Sequence, residues 1–230
     1  MQDLIEQERF EMEVLDRLNS GRFLRHFVFC GGTMLRLCHG LDRYSVDLDF
    51  RLIREDRGSA LFEEIKAYLS RFYSIKDAAE KYHTLLYELR GTTSPRSLKI
   101  EIRKHGEYLA AEQGIAYSPH SDRQVLLRVV TLEKMMDMKV EALLGRGEIR
   151  DAYDMEFLVK RGIRPPGDPK IAAGVLARLE TFRKVDYTTK LGSLLEPGMR
   201  AYYLEKNFRI LAGALREVLG SHGWDDGTLP

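Results

Sequence analysis

Between residues 2 and 20, Leu4, Ile5, Phe10, Val14, Leu15 and Leu18 recur at helical spacing, with Gly21 following as a stop. That spacing predicts an amphipathic helix covering a sheet. A short apolar run, Phe27, Val28 and Phe29, leads into Gly31-Gly32 and a helix-sized segment. Val46, Leu48, Phe50 and Leu52 then alternate with polar positions as in a second strand. Leu61, Phe62, Ile65, Leu69 and Phe72 predict another covering helix over 59–72. Residues 82–89 are rich in strand formers, and 91–97, with Pro95, read as a hairpin turn. In the returning strand, 98–104, Leu98, Ile100 and Ile102 face one way and Lys99, Glu101 and Arg103 the other. Residues 106–124 show no usable period, and 117–120 read as a loop.

The pattern then turns helical. Residues 126–130 suit a last short strand, and Thr131 can cap a helix running to about 144. Leu132, Met135, Met136 and Leu143 form that helix's apolar stripe, and Lys139 falls in the middle of it. A snorkelling lysine, stem buried and ammonium in water, is one account of this position. After the break at Arg164-Pro165-Pro166-Gly167, helices are expected over 170–182, near 191–195 and over 198–219, with a frayed tail from Gly220 that carries Trp224, Asp225 and Asp226. The expected fold class is α+β: a domain over 1–124 with a small mixed sheet, then a helical domain over 125–230.

Composition narrows the function classes. The chain has 230 residues, 44% of them hydrophobic, enough to bury a core. Lys and Arg number 36 against 35 Asp and Glu, a net charge of +1, so the whole surface is no electrostatic sponge for nucleic acid. An RNA partner would need a local basic patch, for which the candidates are Arg22, Arg25 and Arg36, or Arg146, Arg150, Lys160 and Arg161. Each of these could equally be a solvated helix surface. Cys30 and Cys38 sit in apolar company and suit small buried side chains rather than a disulfide. The six His have no Cys partners at zinc-ligand intervals. No apolar run approaches the roughly 18 residues that cross a bilayer, and the expected location is cytoplasmic.

Chemistry concentrates in 28–50, VFCGGTMLRLCHGLDRYSVDLDF. Asp47 and Asp49 share one strand face, and their mutual repulsion is tolerable where a divalent cation sits between them. Gly31 and Gly32 permit close backbone approach, and the helix start near Thr33 favours an anion. Taken singly, the glycines could be an ordinary strand-to-helix turn and the acids a solvated strand face.

Together, G-G-T-x-L followed by R-x-S-x-D-L-D-F closely resembles the DNA polymerase β-like nucleotidyltransferases, and within them the AbiEii type of abortive-infection toxin. Lys139-Val-Glu-Ala-Leu and Arg150-Asp151-Ala-Tyr-Asp154 resemble that family's second half, K-x-x-A-L and R-D-x-x-D. The resemblance covers about residues 25 to 160. It implies a polymerase β-like nucleotidyltransferase domain followed by a helical domain, with the active site between them. It also implies a metal-dependent enzyme, using Mg²⁺ or Mn²⁺, that transfers a nucleoside monophosphate from an NTP.

By the same resemblance, Asp47 and Asp49 hold metal, and Gly31, Gly32 and Thr33 hold the NTP, with Arg43 and Ser45 matching the pattern. Lys139 contacts phosphates, and Asp154 orients that lysine or the acceptor hydroxyl. Relatives often bring a third acid from a neighbouring strand, which makes Glu101 a candidate metal ligand. Its alternative is a strand residue paired with a basic neighbour. Arg150, Asp151 and Asp154 could also form a structural ion-pair cluster, the preferred account for Asp151. The implied acceptor is RNA, a tRNA 3′ end, and the implied role is that of a toxin opposed by a separately encoded antitoxin. The alternatives are a small-molecule or protein acceptor, or a catalytically silent nucleotide-binding module.

Overall fold

The computed structural model describes residues 1–54, 58–92, 94–104 and 109–221. The chain divides into two compact units, Met1–Thr131 and Leu132–Pro230.

The first unit contains α1 (Gln2–Ser20), β1 (Phe27–Cys30), α2 (Gly31–His39), β2 (Asp47–Leu52), α3 (Gly58–Leu69), β3 (Ser74–Glu80), β4 (Thr84–Arg90), β5 (Leu98–Arg103), β6 (Ala111–Tyr117) and β7 (Gln124–Val130). Its seven strands form one sheet in the order β3-β4-β5-β2-β1-β7-β6. The sheet is mixed: β1 pairs with β7 and β2 with β5 in parallel, and the other neighbours are antiparallel. The first unit runs past residue 124 because β7 is an internal strand of this sheet, between β1 and β6.

Register fixes the two faces. Phe29 pairs with Phe50, Phe50 with Ile102, and Leu48 with Ile100, so these apolar residues point one way and are buried. Tyr87, opposite Ile100, stacks on Phe62 of α3 with ring centroids 5.4 Å apart. Phe50 lies 5.0 Å from the Phe29 ring and 5.7 Å from that of Phe27. Truncating it to alanine would cost about 3–5 kcal/mol. The other face of the same strands presents Asp47 and Asp49.

Two strands were not expected. In β3, SIKDAAE, most side chains are exposed or half-buried, so no alternation marks it, and β6 is an edge strand interrupted by Gly114. Gly21 does not end α1 by adopting a left-handed conformation: its φ is −75°, and the left-handed residue is Arg22, at φ 60°. Gly21 is needed for space, since a Cβ there would lie 2.6 Å from the Phe23 ring.

The second unit holds α4 (Leu132–Arg146), α5 (Ile149–Lys160), α6 (Pro169–Glu180), a π-helical turn (Asp186–Leu191), a 3₁₀ turn (Gly192–Leu194), α7 (Pro197–Lys206) and α8 (Arg209–Ser221). Asp168 caps α6, accepting from the Lys170 backbone N–H at 2.7 Å. The single helix expected over 198–219 is two, because Asn207 takes a positive φ of 51° between them. Buried Glu156 then accepts from the Leu211 N–H at 3.0 Å and satisfies a donor in the first turn of α8. Tyr153, Tyr203 and Phe208 form the aromatic core. The tail beyond Ser221, with Trp224, lies outside the described residues, as do 106–108. Among the described residues no helix is long and apolar enough to cross a membrane.

Candidate active site

The strand-to-helix turn from β1 into α2 gathers the first set of residues. Gly31 has a φ of +83°, a left-handed conformation that β-carbon-bearing residues rarely adopt. A Cβ on it would also come within 2.5 Å of Asp49 Oδ2. A Cβ on Gly32 would run into the Arg43 guanidinium and lie 2.9 Å from Ser45 Oγ. Gly31 is therefore favoured by backbone conformation as well as by close approach, and Gly32 by close approach alone. Thr33 donates its hydroxyl to the Asp47 carbonyl at 2.6 Å, tying the first turn of α2 to the start of β2. Arg43 is buried and donates to the Tyr44 carbonyl at 2.9 Å.

Asp47 and Asp49 are half-buried and share a face with two residues of β5, through the pairs Asp47–Lys99 and Asp49–Glu101. Glu101 meets Lys99 Nζ at 3.0 Å and Arg103 Nε at 3.4 Å. Burial pushes the Glu101 carboxyl up, but these two cations outweigh it and hold the group below the usual range. Its basic partners lie on its own strand, not on an adjoining one. Among the described residues no three acids, histidines or cysteines converge as a metal cage. Two aspartates on one face still fit a hard divalent cation such as Mg²⁺, which binds through one or two carboxylates and completes its shell with water and substrate phosphates.

Helix α1 contributes a group that the sequence reading passed over. Glu11 is fully buried, and neither of its carboxylate oxygens has a hydrogen-bond partner. Burial, reinforced by the negative charges of Glu8 and Asp47 and opposed by Arg36, pushes its carboxyl well above the usual range. Glu8 itself is held by Arg36 and by the Ser118 hydroxyl, which donates at 2.6 Å. Glu11 stands in the apolar stripe of α1 between Leu4 and Val14–Leu15, the same signal that singled out Lys139.

In the second unit, the Lys139 side chain is 6% exposed, and its ammonium lies 2.6 Å from Asp154 Oδ2 and 3.1 Å from Asp151 Oδ1. This removes the snorkelling account, because the charge is not in water. Arg146 forks onto Asp151 with contacts of 2.8 and 2.7 Å, so Asp151 belongs to a structural cluster whose cations are Lys139 and Arg146. Several residues named as basic-patch candidates are committed elsewhere. Arg36 binds Glu8 and covers the Tyr44 ring, and Lys160 pairs with Glu156 and donates to the Tyr203 hydroxyl at 2.8 Å.

The family pattern described as nucleotidyl transferase AbiEii toxin, type IV toxin–antitoxin system, matches residues 13–224. The chain belongs to the AbiEii nucleotidyltransferase toxin family. AbiEii membership makes the protein a nucleotidyltransferase with an NTP substrate and places it in a toxin–antitoxin system. Among solved structures, JHP933 from Helicobacter pylori is similar at 18% identity, covering 93% of this chain and 92% of its own, with a TM-score of 0.61. A second H. pylori protein, described as a nucleotidyltransferase, is similar at 17% identity, covering 96% of this chain and 98% of its own, with a TM-score of 0.58. At these identities the likeness shows a shared fold. No curated protein matches the chain.

Proposed function

We propose that this AbiEii protein is a metal-dependent enzyme that transfers a nucleoside monophosphate from an NTP to the 3′ end of an RNA, most favourably a tRNA. The observation that carries the reading is the meeting of Gly31, Gly32, Arg43 and Ser45 with the Asp49 carboxylate at one strand-to-helix turn. Phosphate oxygens fit the backbone of that turn and the start of α2, which has no side-chain cap from Cys30. Arg43 and Ser45 supply further donors.

Asp47 and Asp49 would hold Mg²⁺ or Mn²⁺, which when bound lowers the pKa of the acceptor hydroxyl and neutralises charge on the departing pyrophosphate. The acceptor oxygen forms the new bond to the α-phosphorus as the bond to the bridging oxygen breaks. The likeness of Lys139-Val-Glu-Ala-Leu to the second half of the family supports a phosphate contact for Lys139, and Asp154, 2.6 Å away, is placed to orient its ammonium. Glu101 is assigned to neighbouring charge, through Lys99, rather than to primary metal binding.

The test is incubation of the purified protein with Mg²⁺, each labelled NTP and tRNA. The expected result is label at the tRNA 3′ terminus, abolished by Asp49→Asn and by periodate oxidation of the terminal diol. Labelling that survives periodate, or label in protein or small metabolites while RNA stays unlabelled, would reassign the acceptor.

A further inference from the structure

The face that carries the acid pair also carries a cation, Lys99, that lies outside the motifs on which the nucleotidyltransferase reading was built. Lys99 of β5 is the direct register partner of Asp47, one strand away, and Glu101 is the partner of Asp49. Neighbouring strands lie about 4.8 Å apart, so Asp47, Asp49, Glu101 and Lys99 stand within side-chain reach on one surface. The Lys99 ammonium lies 3.0 Å from Glu101 Oε2, and the charges of Asp47 and Asp49 both act on it. Its side chain is 45% exposed, so its flexible four-carbon stem can swing into solvent. Glu101 would keep Arg103 as a partner when Lys99 leaves.

We propose that Lys99 is a built-in counter-ion of the acid pair, offsetting part of the charge of Asp47, Asp49 and Glu101 in the nucleotide-free protein and withdrawing when a divalent cation binds. The inference rests on Asp47 and Asp49 as the metal site. Three carboxylates on adjacent strands repel one another, and a monovalent ammonium relieves that repulsion without closing the site. A divalent ion entering the same field must meet or displace the ammonium. Lys99 therefore sets the metal concentration at which the site fills, as a positioning charge and not a catalytic residue. A lysine suits this role better than an arginine would, because its compact, strongly hydrated head holds no fixed bidentate geometry with a carboxylate.

A surface ion pair between Lys99 and Glu101 alone would leave metal affinity untouched, which gives the test its contrast. Mn²⁺ binding is measured by calorimetry, with and without a non-hydrolysable NTP, on wild type, Lys99→Met, Lys99→Arg and Asp49→Asn. Melting temperatures are recorded with and without the metal. A doubly charged ion about 5 Å from a unit positive charge in water-like surroundings is disfavoured by roughly tenfold in affinity. Lys99→Met is accordingly expected to bind Mn²⁺ about tenfold more tightly, to melt lower than wild type without metal, and to show a larger metal-induced rise in melting temperature. Lys99→Arg keeps the charge and should stay near wild type. Equal Mn²⁺ affinity in wild type and Lys99→Met overturns the counter-ion role. Mn²⁺ binding in neither protein under either condition, or undiminished binding in Asp49→Asn, overturns the acid pair as the metal site.

Discussion

Lys139→Met is the substitution whose outcome the structure changes most. If Lys139 snorkelled, methionine would fill the apolar stripe of α4 at no cost, and only activity would fall. Instead the ammonium is buried between Asp154 at 2.6 Å and Asp151 at 3.1 Å, with both aspartate side chains at 0% exposure. An exposed ion pair contributes about 0–1 kcal/mol, whereas removing one partner of a buried pair costs roughly 3–5 kcal/mol because a charge is left without its compensation. Arg146 still holds Asp151 through contacts of 2.8 and 2.7 Å, so we expect the lower end, about 3 kcal/mol. For a chain of this length that corresponds to a fall in melting temperature of roughly 6–12 °C.

The assay is urea unfolding followed by circular dichroism, with Asp154→Asn and the double variant completing a cycle. Neutralising Asp154 in the Met background should recover part of the loss, giving a coupling of about 1–3 kcal/mol. Transfer activity, measured below the melting temperature of every variant, should fall on the order of a hundredfold in Lys139→Met. A Met variant that melts within about 1 °C of wild type would show that this buried cluster contributes no more than a surface pair, and would refute the reasoning.

Asp47→Asn and Asp49→Asn should each abolish transfer while leaving the circular dichroism spectrum unchanged, because both residues lie on the face of β2 away from the Leu48–Phe50 core. Near-wild-type Mg²⁺-dependent activity in either would remove that residue from the site. Ser45→Glu should be strongly impaired and Ser45→Ala only moderately, since a carboxylate there adds negative charge beside the Gly32 turn where a triphosphate is proposed; equal activity of the two variants would take Ser45 out of the site. For Glu11, the raised folded pKa means that folding takes up a proton above the unfolded value of about 4.3, so its contribution is fully present below that pH and is lost as pH rises through the folded pKa. Glu11→Gln should therefore raise the melting temperature at neutral pH and lose that advantage towards pH 4, and a pH-independent difference would contradict the assignment.

The strands and helices legible in the sequence were those with a clean apolar period. β5 alternates Leu98, Ile100 and Ile102 without interruption, and β2 does the same around Asp47 and Asp49. β3 and β6 are the two edges of the sheet, where side chains need not be apolar on either face, so periodicity carries little information about them. The split between α7 and α8 depends on the backbone of one residue, Asn207, and an asparagine has no fixed conformation that a pattern could reveal. Asp47, Asp49 and the glycine turn could be found because chemistry and spacing coincide over a short stretch. The engagement of Lys139 by Asp151 and Asp154 could not be deduced from spacing alone, since it needs the angle between α4 and α5.

Charged residues in apolar positions connect these cases. Lys139 in the stripe of α4 and Glu11 in the stripe of α1 both break the local pattern, and both are buried. Their environments separate them. Lys139 has two carboxylates at ion-pair distance, whereas the Glu11 oxygens have no hydrogen-bond partner and its neighbours Glu8 and Asp47 favour the neutral acid. An interruption in the apolar period thus marks a position where folding tolerates a cost, but only the surrounding charges decide what form the group takes. On the sheet the same logic runs between strands: Asp47 and Asp49 are placed by the alternation of β2, and a cation beside them, Lys99, is placed by the register of β5. A reading confined to one strand finds the acids and misses the cation, because strand pairing brings it to them from half a domain away in sequence.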